Sequence, residues 1–186
     1  MNRHSRSTRA LVEAALMIAL ATILGYFRLY RFPQGGSVDF AMVPILIYCL
    51  RWGPAWSLSC CFVNGVLQFF LGGGIALSWQ SMLLDYLVAF PPLGLAGLFK
   101  GKKWGIFAGT VLGCLGRFIV HFISGITIYR IYAPTEILGT VFDEPNLYSL
   151  VYNGSYMLPN TILALTIAGL LYAPLKKFYV GEDIPK

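Results

Sequence analysis

Arg117, His121, Gly125 and Tyr129 follow one another at intervals of four, the spacing that sets side chains near one stripe of an α-helix. In order, the stripe carries a guanidinium, an imidazole, a gap with no side chain and an aromatic ring. Such a set suits a flat heterocyclic ligand: its ring stacks on Tyr129, Arg117 and His121 make polar contacts, and Gly125 lets it approach closely. A plainer reading is structural, with Arg117 paired to a carboxylate between helices and His121 donating to a carbonyl. Asp85 is the natural counterpart, because it ends a long chargeless run. A carboxylate in a dry site can bind an amino group or a cationic ring, or neutralise Arg117. Tyr148, Asn153 and Ser155 add hydroxyl and amide groups, which present both donors and acceptors to a heterocycle. Taken alone, Asn153-Gly154 is more often a helix irregularity than a ligand contact.

These polar groups stand out because their surroundings are apolar. Of the 186 residues, 57% are hydrophobic and only 12% charged, against about 45–50% and about 25% in ordinary soluble domains. No Asp, Glu, Lys or Arg occurs from Trp52 to Leu84 or from Pro145 to Leu175. Each run exceeds the roughly 20 apolar residues that cross a bilayer as a helix. The composition excludes a soluble enzyme, a disordered tail and a secreted disulfide scaffold, and it indicates a polytopic membrane protein. Ionisable groups at membrane depth are costly, so Asp85, Arg117 and His121 are functional candidates by default. Cys49, Cys60, Cys61 and Cys114 lie in apolar runs without a C-x-x-C pair and read as small buried fillers.

Six hydrophobic segments are expected as helices, because backbone groups in hydrocarbon must be satisfied internally. They run about 11–30, 40–50, 54–71, 81–99, 104–129 and 148–175, the second being shorter than a full span. The fold class is therefore an all-α bundle, and one domain over residues 1–186 is the simplest organisation. Arg3, Arg6 and Arg9 before an apolar stretch with Ala19-x-Ala21 resemble a secretory signal. The length of that stretch and Glu13 within it favour a retained first helix. Ten of the fourteen basic residues (Arg3, Arg6, Arg9, Arg51, Lys100, Lys102, Lys103, Lys176, Lys177 and Lys186) fall on one side if the spans alternate. By the positive-inside rule that side, with both termini, is cytoplasmic. The outer side takes Arg28, Arg31 and Arg130 together with Asp39, Glu136, Asp143 and Glu144. The formal +6 is thus a signal of topology, with no nucleic-acid partner implied. The outer connections, about Arg31–Asp39, Gly72–Gln80 and Arg130–Leu147, read as lids or as plain turns.

Ala15-x-x-x-Ala19, with Ala10-x-x-x-Ala14 before it, has the small-residue spacing that permits close helix approach in lipid, as does Gly109-x-x-x-Gly113. No phosphate-binding loop, H-E-x-x-H, G-x-S-x-G or metal-ligand cluster occurs, so neither metal nor cofactor is expected. Transport driven by ATP would need another subunit to hydrolyse it.

Several blocks resemble one family. They are Gln34-Gly35-Gly36-Ser37-Val38-Asp39 with Pro44, the run from Leu83 to Phe90, and Leu93-Gly94-Leu95-Ala96-Gly97. Further along come Arg117-Phe118, His121-Phe122, Ser124-Gly125, Tyr148-Ser149-Leu150 and the run from Tyr152 to Pro159. In order and over nearly the whole chain, they are similar to the thiamine-specific S components of energy-coupling factor (ECF) vitamin transporters. The resemblance implies a six-helix membrane subunit that captures thiamine from outside a bacterial cell. It also implies a membrane coupling protein and two ATPase subunits as partners. The family's ligand positions fall on Asp85, Arg117, His121, Gly125, Tyr129, Tyr148 and Asn153, and its coupling face on Ala15 and Ala19. Tryptophans that some members carry stand here as Gly35, Asn64 and Tyr129, and Asp85 and Arg117 replace a glutamate and a lysine. Three other readings are an S component for a thiamine precursor or another vitamin, a stand-alone proton-coupled carrier, with His121 and Asp85 as relay, and an intramembrane enzyme using Arg117, His121 and Asp85. For the enzyme no nucleophile and base pair can be placed.

Overall fold

Gly53 and Pro54 set a boundary that the sequence announces. Gly53 takes a φ of +86°, and Pro54 opens the next helix, where its missing N–H has no partner to lose. The computed structural model describes residues 3–76, 78–102, 104–129 and 136–184, with the backbone alone at 3 and 129. Its helices are α1 (Arg3–Leu24), α2 (Met42–Trp52), α3 (Pro54–Leu71), α4 (Trp79–Phe99), α5 (Gly105–Ser124) and α6 (Pro145–Val180). Five of them are long and apolar enough to cross a membrane, and α2 is the short one. All of α2 is buried, so it is the core helix, packed against α1, α3, α4, α5 and α6. The β structure among the described residues is two antiparallel ribbons. Tyr30–Arg31 (β1) pairs with Ser37–Val38 (β2), and Glu136–Ile137 (β3) with Thr140–Val141 (β4).

The helical class is as expected, but several boundaries move for physical reasons. The first helix stops at Leu24 and not at Tyr30, because Arg28 and Arg31 turn their guanidiniums onto the carbonyls of Gly72 and Gly73 and the chain enters β1. α4 is α-helical only over Trp79–Met82. It widens into a π turn over Leu83–Val88 and tightens into 3-10 turns over Pro91–Phe99, where two consecutive prolines lack the N–H an α-helix needs. α5 continues into a π turn at Gly125–Tyr129. α6 runs beyond the expected end to Val180, with a break at Leu175 (φ −107°, ψ 15°) just after Pro174.

Gly109 and Gly113 explain how α5 seats on α4: a Cβ would stand 2.8 Å from the carbonyl oxygen of Ala96 and of Leu93, respectively. Ala15 and Ala19, in contrast, are exposed on α1. The four cysteines are free and buried, with Cys49 Sγ 3.6 Å from Cys61 Sγ.

Arg51, read from the sequence as a marker of topology, is fully buried instead. Its guanidinium meets Glu13 and Asp183 at 2.6 Å each and lies 3.8 Å from the Phe178 ring centre. Trp52 Nε1 donates to Glu13 at 2.7 Å. This knot ties α1, α2 and the segment after α6 together at one end of the bundle. The hydrogen bond from Arg51 holds the Asp183 carboxyl down at about 2.

Candidate functional site

The opposite end of the bundle holds a cavity of about 1060 Å³, its open mouth included. Asp85 from the π turn of α4, Arg117 and His121 from α5, and Tyr148 and Asn153 from α6 all line it. The π turn has a consequence here: it sets Asp85 beside His121, across from α5.

His121 stands between the two charges that the sequence paired directly. Its Nε2 lies 3.3 Å from Arg117 Nε, and its Nδ1 lies 3.1 Å from Asp85 Oδ1. Arginine only donates, so Nε2 must accept and the ring proton sits on Nδ1, donated to Asp85. Asp85 and Arg117, whose direct pairing was one of the roles open to Asp85, are instead linked through a neutral imidazole. Arg117 instead rests its guanidinium 4.0 Å from the ring centre of Phe90. Asp85 Oδ2 is buried without a hydrogen-bond partner among the described residues, as are Asn64 Oδ1 and Gln34 Oε1, and all three residues line the cavity. Unpaired buried acceptors are costly, and a ligand with N–H or O–H groups removes that cost.

Asn153 and Gly125 line the cavity but also hold the helices in place. Asn153 Nδ2 donates to Ser149 O at 2.9 Å and to His121 O at 3.2 Å, while Tyr156 OH donates to Asn153 Oδ1 at 2.7 Å. A Cβ on Gly125 would lie 2.1 Å from Ser149 Oγ, so the gap read as room for a ligand is filled by a neighbouring helix. Tyr148 is buried and stacks on Tyr152, with ring centres 5.8 Å apart and planes 5° from parallel. The Tyr129 side chain lies outside the described residues, as do Lys103, Arg130 and Lys186. Ser155 is turned to the Tyr152 carbonyl and does not line the cavity. Among the described residues no cluster of His, Cys, Asp or Glu could hold a metal ion.

The β1–β2 turn forms one wall of the mouth. Gly36 N donates to Tyr152 OH at 2.8 Å, Asn160 bridges Ser37 O (2.7 Å) and Asp39 N (2.9 Å), and the Phe32 ring meets that of Tyr152 edge-on at 5.9 Å. A Cβ on Gly36 would stand 2.5 Å from the Tyr156 ring, so the turn seats only with glycine there. Gln34 Nε2 reaches Glu136 O at 2.8 Å and joins this turn to the β3–β4 ribbon.

Three residues that the sequence reading missed carry a legible signal: Tyr152, Tyr156 and Asn160 follow Tyr148 at intervals of four on α6, and all four line the cavity. Asn64 and Gln68 likewise stand four apart, on α3, and Tyr86 follows Asp85 directly; all three line the cavity.

The thiamine transporter protein family matches residues 11–180. The thiamine transporter ThiT of Bacillus subtilis (strain 168) is 34% identical over 92% of this chain and 94% of its own length. The ThiT of Lacticaseibacillus paracasei is 29% identical over 98% and 96%. A solved structure of ThiT from Listeria monocytogenes superposes with a TM-score of 0.81 at 22% identity, covering 93% of this chain and 98% of that one, and so shares the fold. The curated relatives are named as transporters and not as enzymes. With a family match over nearly its whole length and five helices fit to span a bilayer, the chain is a multi-pass membrane protein that belongs to the thiamine transporter family.

Proposed function

We propose that this chain binds thiamine in the cavity at its outer end, as the substrate-capturing S component of an ECF-type importer. The observation that carries the reading is the buried, unpartnered Asp85 Oδ2 beside a neutral His121. A carboxylate so placed can accept from the aminopyrimidine or face the thiazolium cation, and the ligand supplies the partner that the protein withholds. Arg117, Tyr148 and Asn153 shape the remaining wall, Gly125 fixes the distance between α5 and α6, and Tyr129 is the candidate stacking ring. The β1–β2 turn closes the mouth over the ligand and excludes water.

In this proposal the chain has no ATPase of its own. A membrane coupling protein meets the exposed Ala15–Ala19 face of α1, and two ATPase subunits drive release. Both termini face the cytoplasm, which places the Arg51 knot inside and the cavity outside. Calorimetric titration of the purified chain with thiamine tests the reading. One-to-one binding at submicromolar concentration is expected, and an absence of binding overturns it.

A further inference from the structure

The Arg51 knot leaves none of its guanidinium N–H groups unused. Nε donates to Glu13 Oε2 at 2.6 Å, Nη1 to Asp183 Oδ1 at 2.6 Å and to Phe178 O at 2.8 Å, and Nη2 to Glu13 Oε1 at 3.0 Å and to Asp183 Oδ2 at 2.9 Å. Arg9 adds Nε on Glu13 Oε1 and Nη1 on Asp183 O, each at 2.9 Å, so two cations balance two carboxylates. A planar fork gripped by a carboxylate on either side fixes direction as well as distance. Asp183 is delivered to it by a turn after α6, where Gly181 takes a φ of +72° and Ile184 is buried.

α1 is the helix that needs a fixed direction. Its buried side chains are Ala10, Ile18 and Ala21, two of them small, whereas Leu11, Val12, Leu16, Leu20 and Ile23 are exposed. Apolar contact between helices has no advantage over contact with lipid tails, so packing of this kind sets the roll of α1 only weakly. Glu13, tied inward to Arg51, sets it firmly. At about 100° per residue, Ala15 and Ala19 stand about 200° and 240° round the helix from Glu13. The tied face is therefore opposite the one on which the two alanines are exposed. A roll by one residue position would bring Leu16 and Leu20 to where Ala15 and Ala19 stand, replacing a small-residue face with a bulky one.

We propose that Glu13, Arg51 and Asp183 are positioning residues for the coupling step: by fixing the roll of α1 they hold Ala15 and Ala19 outward, toward the coupling protein. This rests on the coupling reading above. The three residues line no part of the cavity and act through α1.

The test compares thiamine affinity, melting temperature and uptake in the double variant Glu13→Leu with Arg51→Leu, the full chain being reconstituted with its coupling protein and ATPase subunits for uptake. Replacing a buried ion pair by apolar side chains of similar volume is often neutral or stabilising, and Asp183 keeps Arg9, so this variant removes the fixed direction and retains the fold. The melting temperature is expected to hold, and the thiamine Kd to stay within about twofold, because distant sites act independently. Uptake falls about tenfold, the scale of one good interface contact. Nitroxide labels on Leu16→Cys and Ile162→Cys, both exposed positions, read the roll directly, the native cysteines being buried. Their distance distribution is narrow in the otherwise unaltered chain and broad in the double variant. Full uptake at a retained melting temperature, or an unchanged distribution, overturns the proposal and leaves the knot a stabilising device. A thiamine Kd weakened along with uptake also overturns it. If the double variant fails to fold, Asp183→Ala, at the partly exposed rim of the knot, makes the same comparison, and Asp183→Glu recovers uptake. Uptake that survives Ala19→Trp overturns instead the coupling reading on which the proposal rests.

Discussion

Asp85→Asn separates a binding role from a structural one, because the two predict opposite signs for stability. Asparagine keeps an oxygen for the His121 Nδ1–H, at present 3.1 Å from Asp85 Oδ1, and replaces the unpartnered Oδ2 with an amide NH₂. Without ligand, this removes a buried negative charge and leaves a neutral amide group unpartnered where a charged oxygen was, so the unliganded protein unfolds at the same temperature or higher. With ligand, one charge-assisted hydrogen bond is lost, worth about 1.5–3 kcal/mol, and a donor now faces a donor, adding about 1 kcal/mol. The total of about 3 kcal/mol corresponds to a rise of roughly 150-fold in the thiamine Kd. Isothermal titration gives the affinity, and a thermal melt in detergent with and without thiamine gives the stability. A Kd within threefold of the unaltered protein refutes the role assigned to Asp85. So does a loss of unliganded stability that accompanies the loss of affinity, since Asp85 would then be holding helices together.

Gly36→Ala drives a Cβ to 2.5 Å from the Tyr156 ring; it should unseat the β1–β2 turn and raise the ligand off-rate roughly tenfold, the worth of one or two lost contacts, as stopped-flow release would show. Gly125→Ala meets Ser149 Oγ at 2.1 Å and should destabilise the protein by about 1–3 kcal/mol; adding Ser149→Gly should recover much of that in a thermal melt. Asp183, held at about 2 against an ordinary 3.8 by its hydrogen bond to Arg51, contributes stability above the ordinary value that disappears as pH falls through about 2. Its carboxylate is partly exposed, so the effect is modest, and Asp183→Asn should flatten the melting temperature over that window. Ala15→Trp or Ala19→Trp should leave thiamine binding unchanged while abolishing uptake by the assembled transporter; equal loss of both would contradict the separation of site from coupling face.

Much of the fold was legible because lipid leaves a chain few options: long chargeless runs must be helices, and Gly53-Pro54 and the Gly-rich connections mark their ends. The Arg117–His121 stripe was legible for the same reason, since a cation and an imidazole one turn apart stand out in an apolar helix. What hydropathy hides is the hydrogen-bond pattern within a helix. Leu83–Val88 reads like any apolar run, yet its π turn sets the position of Asp85. Long-range pairing is hidden as well. Arg51 looked like a loop residue because its partners, Glu13 and Asp183, lie at opposite ends of the sequence. Gly125 was identified as a gap, but what fills the gap, Ser149 of another helix, is a fact of packing.

A structure determined with thiamine bound tests the central claim most directly. The account predicts ligand density between α4, α5 and α6, with the aminopyrimidine or thiazolium within about 3–4 Å of Asp85 Oδ2 and the β1–β2 turn closed above it. Density elsewhere on the protein, or in the cavity with Asp85 Oδ2 still unpartnered, would contradict it.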